Sequence, residues 1–343
     1  MTYCSRCILP ATFPGIRFDE TGVCNFCLAH KSAQETEQKR SKLRETFAEL
    51  SQSLRASDGI HVVLAYSGGK DSTYTLWLLR TCYHLRVLAI TLDNGYVSPR
   101  SFENIRTVCE TLDVDALTIK PPLSMLNTVF VGSVSRGVFP RKSLVRASPI
   151  CSSCMALTKN IVLRIALERC VPVVAYGWSP GQAPLSAALF RLNPAMLRSM
   201  YGARTDPLKD LGGPELDPYL VSDDLFDQVR TYPYSVNPLA FHPYDEDAIR
   251  AQIQVLGWTP PDDTDGNSTN CLLNGVAIRL HLAQHGFHPY AFEVAEHVRS
   301  GLITRDEGFR SLGELGSPGL ATQVAARLGI DETMLQCNPL NGR

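Results

Sequence analysis

His61-Val-Val-Leu-Ala-Tyr-Ser-Gly-Gly-Lys-Asp-Ser72, running on into Thr73-Tyr-Thr-Leu-Trp-Leu-Leu79, is the stretch that decides the fold. The apolar run up to Tyr66 reads as a buried strand. The residues after Ser72 read as the first turns of a helix. A strand, a Gly-rich turn and a helix N-terminus together make a phosphate cradle. Gly68 and Gly69 let the backbone approach an anion, and the helix dipole favours its charge. Lys70 adds a cation, Ser67 and Ser72 add hydroxyls, and Asp71 is a carboxylate suited to helping hold Mg²⁺. The spacing is not that of a Walker A loop.

Outward from this point the chain alternates strand and helix. Strands are expected at Val62–Tyr66, Arg86–Leu92, Ala116–Lys120 and Val171–Tyr176, and helices at Asp71–Cys82, Ser101–Leu112, Leu123–Val134 and Cys154–Arg169. The expected fold class is α/β, a parallel sheet with helices on both faces. Ligands of such sheets bind at the carboxyl ends of strands. Ser67–Ser72, Asp93-Asn94-Gly95 and Gly177-Trp178-Ser179 all fall there. The proline-rich stretch 179–245 predicts short, broken helices. From Asp245 onward the chain reads as helical. The expected organisation is 1–30 a cysteine module, 31–58 a connecting helix, 59–244 the ATP-binding domain and 245–343 a helical C-terminal region.

The 343 residues carry a formal net charge of −1. A dedicated nucleic-acid binder carries a clear basic excess, so the balance favours a small-molecule acceptor over tRNA without excluding tRNA. No apolar run reads as long enough to cross a membrane and no signal peptide is visible, which gives an expected cytoplasmic location. Eleven cysteines then argue for metal or redox chemistry rather than structural disulfides. Cys4-x-x-Cys7 and Cys24-x-x-Cys27 are two knuckles with the spacing of a structural Zn²⁺ site of four thiolates. Cys151-Ser-Ser-Cys154 opens a helix, where thiol pKa values fall. Cys271 lies in a polar, turn-like segment, whereas Cys82, Cys109 and Cys170 read as packed residues of helices and Cys337 carries no readable role. From the residues alone, the central cysteines suit a metal cluster, a persulfide or redox pair, or a second zinc.

Ser67-Gly-Gly-Lys-Asp-Ser72 resembles the PP-loop of the ATP pyrophosphatase superfamily. The resemblance implies an adenine-nucleotide site formed by Ala65, Ser67, Gly68, Gly69, Lys70, Asp71, Ser72, Asp93 and Gly177. It also implies transfer of AMP to a carbonyl oxygen, which a nitrogen or sulfur nucleophile then displaces. Cys4-Ser-Arg-Cys-Ile-Leu-Pro10 with Phe18-Asp-Glu-Thr-Gly-Val-Cys24 resembles the N-terminus of the N-acetyl sugar amidotransferases. A central CxxC and one remote cysteine behind a PP-loop resemble the iron–sulfur-dependent tRNA thiolases. There, three cysteines hold a 4Fe–4S cluster whose open iron carries sulfide.

The function implied is ATP-dependent sulfur transfer to a small-molecule or nucleotide-like acceptor. Lys70, Asp71, Cys151, Cys154 and Cys271 are its candidate catalytic residues, and a homodimer is expected. Two alternatives are an N-acetyl sugar amidotransferase fed by a partner glutaminase and a tRNA thiolase. The thiolase pattern has a catalytic lysine after its CxxC, for which Lys159 is the nearest match. His281, His285 and His288 are expected as surface histidines of a helix ending at Gly286. Glu293, Glu296 and Arg299 are expected on a solvated face. Arg136, Arg141, Lys142 and Arg146 are expected either to grip phosphates or to lie in an exposed loop.

Overall fold

The computed structural model describes residues 2–335 apart from Gly266, and for Met200, Tyr201 and Arg204 the backbone alone. Cys337 lies outside the described residues. In chain order the elements are α1 (Asn25–Leu28), α2 (Ala33–Leu54), β1 (Val62–Ala65), α3 (Lys70–Trp77), β2 (Val87–Leu92), α4 (Pro99–Leu112), β3 (Asp115–Ile119), α5 (Leu123–Ser135), α6 (Pro149–Glu168) and β4 (Val173–Tyr176). They continue with β5 (Leu189–Arg191), α7 (Pro194–Gly212), α8 (Asp223–Gln228), β6 (Tyr234–Val236), α9 (Glu246–Gln254), α10 (Asn274–His285), α11 (Ala291–Arg299), α12 (Arg305–Gly313) and α13 (Pro318–Leu328).

The strands form one sheet in the order β3-β2-β1-β4-β6-β5. All neighbours are parallel except β5, which runs antiparallel to β6. Both faces of the central strands are buried, so these strands read as near-continuous apolar runs, with Thr91 of β2 the polar exception. Val63, Leu88 and Ile90 point into a core shared with α5, α6, α10 and α13. Val62, Leu64, Val87 and Ala89 point into the opposite core, with Phe47 of α2, Leu76 of α3 and Trp258. The expected connecting helix is α2, whose Leu43, Phe47, Leu50 and Leu54 pack on that second face. β3 is an edge strand, largely exposed along its length.

The proline-rich stretch holds more structure than its composition suggests. α7 runs for 19 residues with Pro207 inside it. β5 and β6 extend the sheet beyond β4, which the sequence reading missed. A run of three residues such as Tyr234–Val236 is too short to show period-2 patterning. α6 is 20 residues long and apolar enough to cross a membrane by length and composition, against the sequence reading. Here it is a core helix whose Ile150, Leu157, Ile161 and Leu163 are buried against the sheet and its neighbours.

The N-terminal module sits on the C-terminal helices. Phe13 packs edge-on to Phe287, with ring centroids 5.2 Å apart, and stacks on Phe292 at 5.7 Å. Arg305 donates to the carbonyls of Cys7 (3.0 Å) and Cys4 (3.1 Å). The N-terminal module and α11 and α12 therefore form one layer.

Candidate functional site

The turn after β1 has the shape that an anion cradle needs. Gly68 has φ +74°, and a Cβ there would lie 2.5 Å from the carbonyl oxygen of Ser101, so only glycine fits. Trp258 Nε1 donates to the Gly68 carbonyl at 2.9 Å and pins the turn from below. α3 begins at Lys70 with Gly69 as its N-cap, and the Gly69 side supplies no hydroxyl or carboxylate to its free N–H groups. Gly177, at the end of β4, admits the start of α3, since a Cβ there would lie 2.6 Å from Ser72 Cα.

A cavity of about 360 Å³ opens over this turn, lined by Ala65, Ser67, Gly69, Lys70, Asp71, Ser72 and Gly177. Ser67 Oγ and Ser72 Oγ are 3.1 Å apart. Asp93 stands at the end of β2, where its carboxylate accepts from Gly95 N–H (2.9 Å) and pairs with Lys120 Nζ (2.8 Å). Its neighbour Asn94 is the residue that lines the cavity.

The phosphate-side groups are engaged by residues from far down the chain. Lys70 N–H donates to Thr269 Oγ1 at 2.9 Å. Lys70 Nζ donates to Tyr244 Oη (2.9 Å) and to the Glu246 carboxylate, and Tyr244 Oη donates to Asp71 (3.0 Å). Burial would raise the Glu246 carboxyl, but the adjacent Lys70 charge and hydrogen bond outweigh it and hold the group below its ordinary range. A carboxylate thus stands against the cation of the turn. Sequence reasoning missed Tyr244, Glu246 and Thr269. Only the polar run Asn267–Asn270, directly ahead of Cys271, carried a signal.

Cys154 lines the same cavity. Ser148 caps α6, its hydroxyl accepting from Cys151 N–H at 3.1 Å, and Pro149 occupies the first turn, so the helix starts just ahead of both cysteines. Cys271 arrives on a segment stitched to the end of β2: Leu272 N–H donates to Tyr96 O (2.9 Å) and Ser98 N–H to Asn270 O (3.0 Å). Asn94 Nδ2 donates to Cys154 Sγ (3.6 Å) and to Cys271 Sγ (3.7 Å), so both sulfurs face one amide. Cys151 Sγ is 4.0 Å from Asn274 Oδ1. The sequence-predicted trio is therefore brought together, with the Cys271 segment also touching the phosphate turn through Thr269.

The cysteine protonation differs from expectation. The three cysteines are half-buried, and burial pushes Cys151 and Cys154 up to about 12 and raises Cys271. Such thiols favour the neutral form until a cation binds them. Cys82 and Cys170 are exposed rather than packed, while Cys109 is buried in the core.

The four N-terminal cysteines make a different kind of site. Their sulfurs all lie within 4.8 Å of one another, with Cys4–Cys27 at 3.8 Å and Cys7–Cys24 at 3.7 Å. A tetrahedron with Zn–S bonds of about 2.3 Å has edges of about 3.8 Å, so the set fits one Zn²⁺. Among the described residues no other group of cysteine, histidine and acidic ligand atoms is this tight.

Further residues complete the cavity wall. Tyr176 and Trp178 stack at 4.6 Å, and Lys159 Nζ lies 4.2 Å from the Trp178 ring centroid. Glu293, expected on a solvated face, is buried and lines the cavity with Tyr290 and His297. The histidines are corrected likewise: His281 is fully buried and His288 nearly so, in the layer beneath the N-terminal module. Burial lowers them to about 2 and about 3, so both are neutral. Arg141 bonds the carbonyls of Thr12 and His285, and Arg146 bonds that of Gly181 and lies over the Phe292 ring. Those two arginines thus tie segments together.

No protein-family profile matches the chain. It is similar to the uncharacterized protein MJ1599 of Methanocaldococcus jannaschii, 23% identical over 329 residues, which span 95% of this chain and 99% of that one. Among solved structures, the U34-tRNA thiolase NcsA from Methanococcus maripaludis, with its 4Fe–4S cluster, aligns at a TM-score of 0.37 and 17% identity. That alignment covers 100% of this chain and 92% of the other.

Proposed function

We propose that the chain is a PP-loop enzyme of ATP-dependent sulfur transfer. ATP converts a carbonyl oxygen of an acceptor into an adenylate, and sulfur takes its place. The observation that carries this reading is the single cavity that holds both the phosphate turn and Cys154, with Cys271 facing the same Asn94 amide.

In this reading the N–H groups at the start of α3 bind phosphate, and Lys70 stabilises charge on the leaving pyrophosphate. For this, Glu246 and Thr269 must exchange their contacts with Lys70 for contacts with ATP or its metal. Asp71 supports Mg²⁺, and the four N-terminal thiolates hold Zn²⁺ as a structural ion. Cys151, Cys154 and Cys271 would hold a 4Fe–4S cluster, which supplies an iron able to carry exogenous sulfur. The functional unit spans the expected boundary near residue 245, because Glu246, Thr269, Cys271 and Glu293 all come from beyond it. Acceptors of two sizes suit the chemistry, a small or nucleotide-like molecule and tRNA.

The test is anaerobic purification with iron, acid-labile sulfide and zinc measured per chain, for the parent and for Cys151→Ala, Cys154→Ala and Cys271→Ala. About four irons and one zinc are expected, with iron lost from each variant. AMP formation with sulfide, ATP and either bulk tRNA or free nucleosides then separates the two acceptor classes. Zinc alone after reconstitution, with AMP formation unchanged in Cys151→Ala, would replace the reading with an ammonia-using amidotransferase.

A further inference from the structure

Asn94 follows β2 on the cavity wall, buried to 4% exposure, and the scheme above gives it no task. Its Oδ1 accepts from Tyr96 N–H at 2.9 Å. The end of an amide that accepts from a backbone N–H is the oxygen, so the other end is the NH₂ group. That group carries two hydrogens and meets two sulfurs, Cys154 Sγ at 3.6 Å and Cys271 Sγ at 3.7 Å. The backbone around it is held. Gly95 has φ +81°, and its N–H is bound to the Asp93 carboxylate. Tyr96 is fully buried, accepts from Leu272 N–H of the Cys271 segment, and bonds Asn127 through its hydroxyl (2.9 Å). One side chain thus joins the end of β2 to sulfurs 60 and 177 residues away.

We propose that Asn94 is the positioning residue of the cysteine trio, its amide giving one N–H to the Cys154 thiolate and the other to the Cys271 thiolate. This inference rests on the sulfur-transfer reading, in which those thiolates hold an iron–sulfur cluster. The donor set suits such a group, because thiolates are the ligands that iron–sulfur clusters take. Cys151 is placed differently: its Sγ lies 4.0 Å from Asn274 Oδ1, an acceptor. Two of the three sulfurs therefore meet the Asn94 amide and one does not. An N–H bonded to a ligand sulfur draws charge from it and so tunes the iron it binds. Asn94 sets the spacing of two ligands and what they donate.

The residue type suits the place for a physical reason. Buried thiolates need donors, and the turn to Tyr96 N–H needs an acceptor. An aspartate would close the same turn but aim a carboxylate oxygen at two thiolates. A serine would close it with one hydrogen for two sulfurs. Asparagine alone among these turn-closing side chains offers an acceptor at one end and two hydrogens at the other.

The experiment uses the full chain, reconstituted with iron, sulfide and zinc, in a redox titration followed by electron paramagnetic resonance. A donor to a ligand sulfur stabilises the reduced, more negative cluster. Asn94→Ala should therefore shift the reduction equilibrium about tenfold toward the oxidised form, a fall of about 59 mV for one electron. Asn94→Ser closes the turn again, and its potential should still fall. A serine variant at the parent's potential would mean that Asn94 only shapes the turn, and it overturns the proposal. The parent supplies a second readout that needs no variant. With asparagine isotope-labelled at its side-chain nitrogen, pulsed resonance should show one such nitrogen coupled to the reduced cluster. Absence of that coupling overturns the proposal even where a variant fails to load iron. Iron content keeps the two ideas apart. A parent without iron defeats sulfur transfer and this role with it, whereas either failure in an iron-loaded parent defeats the role of Asn94 alone.

Discussion

Replacing Glu246 with Gln should tighten ATP binding, because the carboxylate occupies the cation that phosphate needs. Lys70 is almost buried, with 6% of its side chain exposed, and it holds both Tyr244 Oη and Glu246. Unit charges at about 4 Å attract by about 1 kcal/mol in bulk water and about 4 kcal/mol at an effective dielectric of about 20. The Glu246 side chain is 53% exposed, which places the pair near the solvent-screened limit. A value of about 0.5–1 kcal/mol is therefore appropriate. In the proposed function ATP breaks this pair, so its removal should lower Kd by about two- to fivefold. Tyr244 keeps its bond to Lys70 in the variant, so the lysine stays placed. Equilibrium dialysis with a non-hydrolysable analogue and Mg²⁺, at low and high salt, measures the effect. The gain should shrink at high salt as screening weakens the pair in the parent. A clear loss of affinity, dependent on Mg²⁺ concentration, would refute the reasoning and make Glu246 a metal-side ligand.

Three further outcomes are expected. Trp258→Phe removes the buried Nε1 donor to Gly68 O and should cost about 1–3 kcal/mol in urea unfolding; an unchanged midpoint would mean that the phosphate turn holds itself. Cys24→Ser, or chelation of the parent, should remove the zinc and lower Tm together, since the aromatic layer over Phe287 and Phe292 rests on that module. Zinc lost at constant Tm would show a module that folds without its ion. His281 and His288 are buried and neutral, with values lowered from 6.5 to about 2 and about 3. Below pH 6.5 the unfolded chain binds protons that the folded chain refuses, so stability falls with pH down to those values, by up to about 1.4 kcal/mol per pH unit for each histidine. His281→Gln should reduce that slope by about one proton, and an unaltered slope in unfolding curves between pH 6 and 4 would contradict its neutral burial.

The sequence by itself determined the elements whose chemistry is local. Val62–Ala65 is apolar at every position and Val87–Leu92 at every position but Thr91, because both faces of the sheet are covered, and that pattern needs no knowledge of partners. Gly68 and Gly69 before Lys70 announce a tight turn opening a helix. The spacing of Cys4, Cys7, Cys24 and Cys27 announces one tetrahedral ion, because knuckles two residues wide can close on little else. Cys151 and Cys154 were legible as a pair for the same reason, and Cys271 by its polar setting.

Only the tertiary structure decided what meets these groups. Glu246 and Thr269 reach Lys70 across 176 and 199 residues. Their neighbours in sequence are ordinary for a helix start and a loop. Glu293 looked like one charge of a solvated face, since α11 has acidic and basic residues on several sides. It is buried because the zinc module and the Gly181–Gln182 turn close over the helix, a contact that no local periodicity encodes. His281 and His288 were misplaced for the same reason, the second layer that covers α10 coming from the opposite end of the chain. Local pattern fixes which face of an element is apolar. Which polar groups are then enclosed depends on what packs against the other faces, and that is set by contacts far apart in sequence.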